Sequence, residues 1–193
     1  MKTINLKKFA IAGAALIGLG TAAITTVNKN TEPTTVQAAS SKIKVSQSTA
    51  VKKFRAKYPS AKIDSINLEK ENGRYVYEIE GFTSTREYDM RINASTGKVI
   101  SAHSEAEKNR NKKAINLSKV ISRSTATKIA QKKVPDSKAI EWSLDRDGSR
   151  TVWEVTVSKS GKKSEVKINA LTKKSNQRRT RLIFERGIRY ETH

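Results

Sequence analysis

Residues 46–98 read SQSTAVKKFRAKYPSAKIDSINLEKENGRYVYEIEGFTSTREYDMRINASTGK, and residues 122–174 repeat this pattern without a gap, 76 positions later. Eighteen of the 53 aligned positions are identical, among them the pair Pro59 and Pro135. Two copies predict two small modules, because a solenoid needs at least three repeats to bury its core.

The composition limits the chemistry that this chain of 193 residues can carry. Only 36% of the residues are hydrophobic, which predicts thin cores. There is no cysteine, so disulfides, thiolate nucleophiles and zinc–thiolate sites are excluded. With only two histidines, His103 and His193, a histidine-rich metal site is not expected. The net charge of +21 favours polyanionic partners: nucleic acid, anionic lipid or anionic wall polymer.

The N-terminus has the pattern of an export signal. A basic start is followed by an apolar run over residues 9–24, and small residues precede Ala39. This order predicts a signal peptide over residues 1–38, cleaved between Ala38 and Ala39. The alternative is an uncleaved membrane anchor, although the run is shorter than the roughly 20 residues that a span needs. A lipoprotein signal is excluded because it requires a cysteine.

Export, the lack of cysteine and the many lysines resemble the secreted proteins of Gram-positive bacteria. We therefore expect a secreted or envelope-associated protein, with membrane anchoring through the uncleaved segment as the alternative. An anionic envelope polymer or membrane surface is then the expected partner, and nucleic acid is not expected.

Each copy begins with a predicted helix. Ser46 and Ser122 follow a hydrophobic residue and are typical helix N-caps. The helices are expected to end near Lys57 and Lys133, because a proline follows two residues later. Apolar residues recur at helical spacing and predict one buried face.

After each proline the apolar residues alternate with polar ones, which is the pattern of half-buried strands. The pairs Asn72-Gly73 and Asp147-Gly148 mark tight hairpin turns. The predicted fold class is therefore α+β: two tandem small modules, each one helix packed on a 3–4-stranded antiparallel sheet.

Together, these motifs resemble the PepSY domain, over residues 43–103 and 119–174. In the first copy the motifs are Ser46, Ala50, Tyr77-Glu78-Ile79 and residues 92–98; in the second they are Ser122, Ala126, Trp153-Glu154-Val155 and Ile168-Asn169-Ala170. The resemblance implies small non-catalytic modules outside cells or at their surface. Some members sit in protease propeptides, where they inhibit and assist folding, and others stand alone.

Two positions of the repeat show departures. Asn93 and Asn169 stand where the family usually has Asp. Lys173 stands where the first copy has Gly97, so the last turn of the second copy is expected to differ.

The remaining segments are rich in charge. Residues 104–118 begin with SEAEKNRNKK, which predicts a charged linker or a short exposed helix. Residues 175–193 form a basic C-terminal segment, which either completes the second sheet or is a loose tail.

Several recurring side chains could be functional, and each also has a structural interpretation. Tyr77 and Trp153 could stack on sugars or bases, but their alternation with apolar residues favours the core. Glu78 and Glu154 could be paired acids, but positions in separate modules favour solvated sheet faces.

Catalytic and metal sites are not expected. His103 has no ligand partners at suitable spacing and is interpreted as surface. Ser48 and Ser124 lie in helix first turns, and no repeated histidine could serve as their base. No catalytic residue, cofactor site or metal ligand is therefore predicted.

The lysine and arginine pairs are the remaining functional signal, because the charge exceeds what solubility requires. The possible polyanion contacts are Lys52, Lys53, Lys112, Lys113, Lys132, Lys133, Lys162, Lys163, Arg178 and Arg179.

The sequence thus predicts a secreted, non-enzymatic binding or regulatory module at the cell envelope, with an extracellular protease as a possible target. The alternative is a cationic structural or adhesive envelope protein that binds anionic wall polymer or lipid headgroups by charge.

Overall fold

The computed structural model describes residues 42–108 and 111–182, and for residues 177–182 it describes the backbone alone. The elements in chain order are α1 (Gln47–Lys57), β1 (Lys62–Glu71), β2 (Arg74–Phe82), β3 (Arg86–Asn93), β4 (Val99–Ala106), α2 (Arg123–Lys133), β5 (Lys138–Asp147), β6 (Arg150–Lys159), β7 (Lys162–Asn169) and β8 (Ser175–Leu182). Each module contains one helix and four strands, which confirms the predicted α+β class. Module 1 is α1 with β1–β4, and module 2 is α2 with β5–β8.

The eight strands form one antiparallel sheet in the order β4-β3-β2-β1-β5-β6-β7-β8. Strands β1 and β5 join the modules, with Ile66 opposite Leu144 and Asn67 opposite Ser143. Asn67 and Ser143 are equivalent positions of the repeat, since they are 76 residues apart. The joint therefore has an approximate two-fold axis through this pair, and the two modules share a single sheet.

The structural repeat is longer than the repeat in the sequence. Strands β4 and β8 occupy equivalent positions, although sequence identity ends at Lys98 and Lys174. Strand β4 extends to Ala106, into the segment predicted as a linker, and the predicted C-terminal tail begins with β8. Both are edge strands, and an edge strand can be polar because little of it is buried.

Both helices begin at the predicted caps and pack on the same sheet face. The hydroxyl oxygens of Ser46 and Ser122 each accept a hydrogen bond from the backbone N–H three residues later, at 3.1 Å in both copies. The buried residues of α1 and α2 belong to one hydrophobic cluster with the inward side chains of β1–β3 and β5–β7. We call this the helix face of the sheet and the opposite one the open face.

The last turn of module 2 does not differ from that of module 1, so the expectation drawn from Lys173 is wrong. Gly97 and Lys173 both adopt the left-handed backbone conformation, with φ of 74° and 63°. The side-chain oxygens of Asn93 and Asn169 each accept two backbone hydrogen bonds in the turn, at 2.9 and 3.0 Å. An aspartate would offer the same acceptor, so asparagine serves equally well here.

The predicted signal peptide over residues 1–38 and its cleavage site at Ala38 and Ala39 lie outside the described residues. Within the described part of the chain, neither helix is long and apolar enough to cross a membrane.

Candidate binding surfaces

The outer side of the two helices is strongly basic. The sequences of α1 and α2 contain no acidic residue. Lys52 and Lys53 on α1 are exposed, as are Lys132 and Lys133 on α2. This side therefore presents positive charge that no carboxylate on the same helix offsets.

The acidic residues of the strands gather on the open face. They alternate with buried residues of the helix face, so the pleat directs them away from the helices. The carboxylates placed in this way are Glu69, Glu71, Glu78, Glu80, Glu87, Asp89, Glu141, Asp145, Glu154 and Glu165. A basic protein thus separates its charges across the sheet.

Carboxylates on the open face of module 1 are crowded and partly buried. Burial raises the pKa of Glu80 to about 7, and the nearby carboxylates of Asp64 and Glu78 act in the same direction. Burial is also the main cause that raises the pKa of Asp64 and that of Asp89. These groups hold their protons more tightly than exposed acids do.

The structure divides the ten predicted polyanion contacts into different environments. The four helical lysines are exposed on the basic side, Lys113 is exposed in the connection between the modules, and Lys162 is exposed at the start of β7. Lys112 and Lys163 lie on the acidic side instead. The Lys112 ammonium is 3.2 Å from Asp64 and 2.5 Å from Glu87, and that of Lys163 is 2.7 Å from Glu141.

The last two predicted contacts, Arg178 and Arg179, belong to β8, where only the backbone is described.

Tyr77 and Trp153 belong to the core, as predicted. Their side chains are 0% and 1% exposed. The Tyr77 hydroxyl donates to the carbonyl of Val45, and the Trp153 indole N–H donates to the carbonyl of Ile121, both at 3.0 Å. Val45 and Ile121 are themselves equivalent positions just before the helix caps. The two aromatic residues therefore anchor the start of each helix and are not available as stacking platforms.

Glu78 and Glu154 lie on the open face in one row across the sheet. The pairing places Glu78 opposite Asn67 and Glu154 opposite Ser143, so β1 and β5 separate the two carboxylates. Glu154 forms an ion pair with Lys167. Burial raises the pKa of Glu78, and the charge of Asp89 adds to this rise. They are not the adjacent pair that general acid–base chemistry needs.

The other sequence candidates lie apart from one another. His103 is exposed in β4 and pairs across the ladder with Asp89. Ser48 and Ser124 are exposed in the first turns of α1 and α2. No described histidine contacts either hydroxyl through a hydrogen bond that would make it a nucleophile.

One group of carboxylates at the edge of module 1 has a spacing that could hold a metal ion. Oxygens of Glu87, Glu105 and Glu107 lie within 4.8 Å of one another. The Lys112 ammonium already contacts Glu87 and supplies positive charge there. Exposed acidic groups often approach in this way without a metal, so the group is a geometric match and no more.

A cleft of about 300 Å³ opens where the connection between the modules crosses the joint. It is lined by Asp64, Asn111, Lys112, Lys113, Asp145, Arg146 and Gly148. No sequence pattern predicts this cleft, because its residues come from β1, from β5 and the turn that follows it, and from the connection, and only the sheet brings them together.

Three comparisons place the chain among known proteins. The PepSY family model, described as "Peptidase propeptide and YPEB domain", matches residues 44–103 and 120–174. Among curated proteins, none matches this sequence. A similar solved structure is the crystal structure of a "putative lipoprotein" from Clostridium difficile 630, at 25% sequence identity and a TM-score of 0.63. The alignment covers 71% of this chain and 95% of that one.

Proposed function

The chain belongs to the PepSY family, and on that premise we propose that it is a non-catalytic binding module of the cell envelope that modulates an extracellular peptidase. The observation that carries the proposal is the double family match, whose description links these modules to peptidase propeptides. In this proposal the peptidase is a separate molecule.

The experiment is a peptidase assay with the purified chain from Ala39 to His193. Added to a panel of secreted peptidases, the folded protein is expected to slow at least one of them in a saturable way. The heat-unfolded protein at the same concentration is the control for charge, since it keeps the charge and loses the shaped surface. Hydrolysis of peptide or wall polymer by the protein itself would contradict the non-catalytic role, and a panel without inhibition would contradict the peptidase.

Export belongs to the same proposal. The description of the structural neighbour as a lipoprotein supports a place at the envelope. This chain has no cysteine to carry a lipid, so another force must retain it. N-terminal sequencing of the protein from fractionated cells is expected to give Ala39 in the envelope or medium. A protein that begins at Met1 and needs detergent for release would indicate a membrane anchor instead.

A second candidate function is electrostatic binding to anionic wall polymer, and the charge separation across the sheet favours it. The exposed lysines of both helices lie on one side, where a flexible polyphosphate chain can contact both modules. Binding driven by charge releases counterions and weakens steeply as salt rises. A shaped contact with a peptidase should depend far less on salt.

Two variants with equal charge test this second function. The first replaces Lys52, Lys53, Lys132 and Lys133 by Gln. The control replaces four exposed lysines outside the helices, Lys70, Lys98, Lys138 and Lys162, by Gln. Binding to wall polymer in 0.05 M and 0.5 M salt is expected to fall much more for the helix variant. Equal loss in both would contradict a role for the helix side and indicate general attraction by net charge.

A further inference from the structure

The cleft at the joint combines groups of both charges that have unused bonding capacity. We propose that it binds a small zwitterion, a free amino acid or a dipeptide, through the ligand's ammonium and carboxylate groups. This inference names a ligand class for the proposed peptidase-associated module and rests on that proposal for its biological meaning, because such molecules are what peptidases release.

The cleft exists because the joint between the modules is short. Strands β1 and β5 pair from Ile66 to Leu68 on one side and from Trp142 to Leu144 on the other. Past Ile66 and Leu144 they pair no further, and the chain segment 111–113 crosses the gap. The N–H of Ile115 donates to the carbonyl of Ile63 at 2.8 Å and holds this segment beside β1. The resulting space of about 300 Å³ is large enough for a molecule of dipeptide size.

Two carboxylates form the acidic half of the cleft. Asp64 lies at a β-bulge, and one of its oxygens is 3.2 Å from the Lys112 ammonium. Its other oxygen, Oδ1, is buried and has no hydrogen-bond partner in the described structure. Asp145 accepts one hydrogen bond at 2.5 Å from the backbone N–H of Arg146. Lys112 neutralises this acidic half only in part, because its ammonium also contacts Glu87. A ligand ammonium would supply the remaining positive charge.

Arg146 forms the basic half. Its terminal nitrogens donate to the hydroxyl of Thr151 at 3.0 Å and to the carbonyl of Gly148 at 3.3 Å, so the guanidinium is held in place by neutral oxygens. Its Nε atom is buried without a partner. None of the salt bridges among the described residues includes Arg146. The exposed ammonium of Lys113 lines the same cleft. A ligand carboxylate would therefore meet a positioned cation that has no carboxylate of its own.

The mixture of charges selects the ligand class. A metal cation would meet Arg146, Lys112 and Lys113, and a simple anion would meet Asp64 and Asp145. Each of these ions satisfies one half of the cleft and is repelled by the other half. A zwitterion can meet both halves at once, because Asp64 and Asp145 line the same cleft as Arg146 and Lys113.

The first test is calorimetric titration of the folded chain from Ala39 to His193 with glycylglycine at low salt. N-acetylglycylglycine and glycylglycine amide are the matched probes, since each lacks one of the two charges. Removal of a charge-assisted hydrogen bond is expected to weaken binding about tenfold or more. The absence of any heat with glycylglycine, or equal binding of the three probes, would overturn the proposal.

The second test uses the variants Asp64→Asn and Arg146→Gln. Each is expected to weaken glycylglycine binding about tenfold or more, for the same reason. The matched control is Lys70→Gln, because Lys70 is the repeat equivalent of Arg146 and is exposed in β1. The control should bind like the natural protein, and circular dichroism checks that all three variants fold. Unchanged binding in folded Asp64→Asn would overturn the assignment.

The probe series on the natural protein keeps the test decisive even if a variant fails to fold. No peptidase is present in the calorimeter, so the two proposals fail separately. Peptidase inhibition without glycylglycine binding would overturn the cleft assignment alone. Specific binding without inhibition of any peptidase would support the cleft and contradict the proposed function.

Discussion

The two modules have the same fold but fill one equivalent contact between helix and sheet in opposite ways. In module 1, Phe54 on α1 lies over Gly81 on β2, and a Cβ atom at Gly81 would be 2.8 Å from the Phe54 ring. The equivalent positions of module 2 hold Ala130 and Val157, both fully buried. Module 1 thus has a large residue on the helix and a small one on the strand, and module 2 has a small residue on the helix and a larger one on the strand. The repeat therefore conserves the filled volume between helix and sheet, and not the identity of the residues that fill it.

The open faces of the two modules differ in charge. Glu80 and Glu87 of module 1 have Thr156 and Lys163 as their equivalents in module 2. Burial, together with the nearby carboxylates of Asp64 and Glu78, raises the pKa of Glu80, and module 2 has no carboxyl group at the equivalent position, Thr156. The two halves therefore share a fold but differ in the charge of their open faces.

The substitution Phe54→Ala removes the large core residue of module 1, and we expect it to destabilise the protein most. The substitution leaves a cavity over Gly81 and should lower the free energy of unfolding by about 3–5 kcal/mol. Gly81→Val alone should cost about 1–3 kcal/mol, because its Cβ atom would lie 2.8 Å from the Phe54 ring and 2.9 Å from the backbone carbonyl oxygen of Lys62. The double variant recreates the pair found in module 2, so its loss should be smaller than the sum of the two single losses. Urea unfolding of all four proteins measures this coupling, and strictly additive losses would contradict it.

The charge comparison predicts that module 1 makes the stability depend on pH. The pKa of Glu80 is about 7 in the folded protein and ordinarily 4.5. The stability that protonated Glu80 contributes to the folded protein is therefore fully present below about pH 4.5 and is lost as the pH rises through about 7. Glu80→Gln should remove this loss, which is on the order of 2–3 kcal/mol. Urea unfolding at pH 4.5 and pH 8 measures it. The control is Glu154→Gln, and an equal pH response in both variants would contradict the assignment to Glu80.

The helix caps have the same geometry in both modules, so variants of the two caps should behave alike. Ser46→Ala and Ser122→Ala each remove a hydrogen bond of 3.1 Å to the first turn. Each should lower the free energy of unfolding by about 1 kcal/mol. Thermal unfolding of the two variants is expected to give nearly equal shifts. A clear difference would mean that the helices are not anchored alike.

The smallest expected effect is at the last turn. Lys173 holds a left-handed backbone conformation that glycine adopts at position 97. Lys173→Gly should relieve this strain and stabilise the protein by roughly 0.5–1 kcal/mol. A rise in the thermal midpoint would agree with this, whereas a fall would mean that the lysine side chain contributes more than its backbone costs.

Local signals in the sequence were enough to predict the elements but not their assembly. Ser46 and Ser122 marked the helix starts, and the alternation around Tyr77 and Trp153 identified the core face. Strand β8 cannot be distinguished from a tail in the sequence, because an edge strand needs no apolar repeat. The type of residue at position 173 does not decide the last turn, because the hydrogen bonds to Asn93 and Asn169 fix it in both copies.

The binding surfaces could be predicted only in part, for a related reason. The lysine pairs were visible in the sequence, but their division between the two sides of the sheet follows from the pleat and from partners such as Asp64 and Glu87. The cleft required the joint between β1 and β5, and the three paired positions of that joint carry no distinctive motif.

Two unequal modules share one sheet through the pairing of Asn67 with Ser143. The natural chain has no cysteine, so the double variant Asn67→Cys/Ser143→Cys tests this pairing directly. Opposed residues of an antiparallel pair have Cα atoms about 4.5–5.5 Å apart, which is within the range of a disulfide. Mild oxidation should give a cross-linked monomer on a non-reducing gel. The equivalent pair Glu69→Cys/Asp145→Cys, whose members lie at opposite ends of the joint, should not cross-link within the chain. Failure of the first pair to cross-link, or equal cross-linking of both pairs, would contradict the shared sheet.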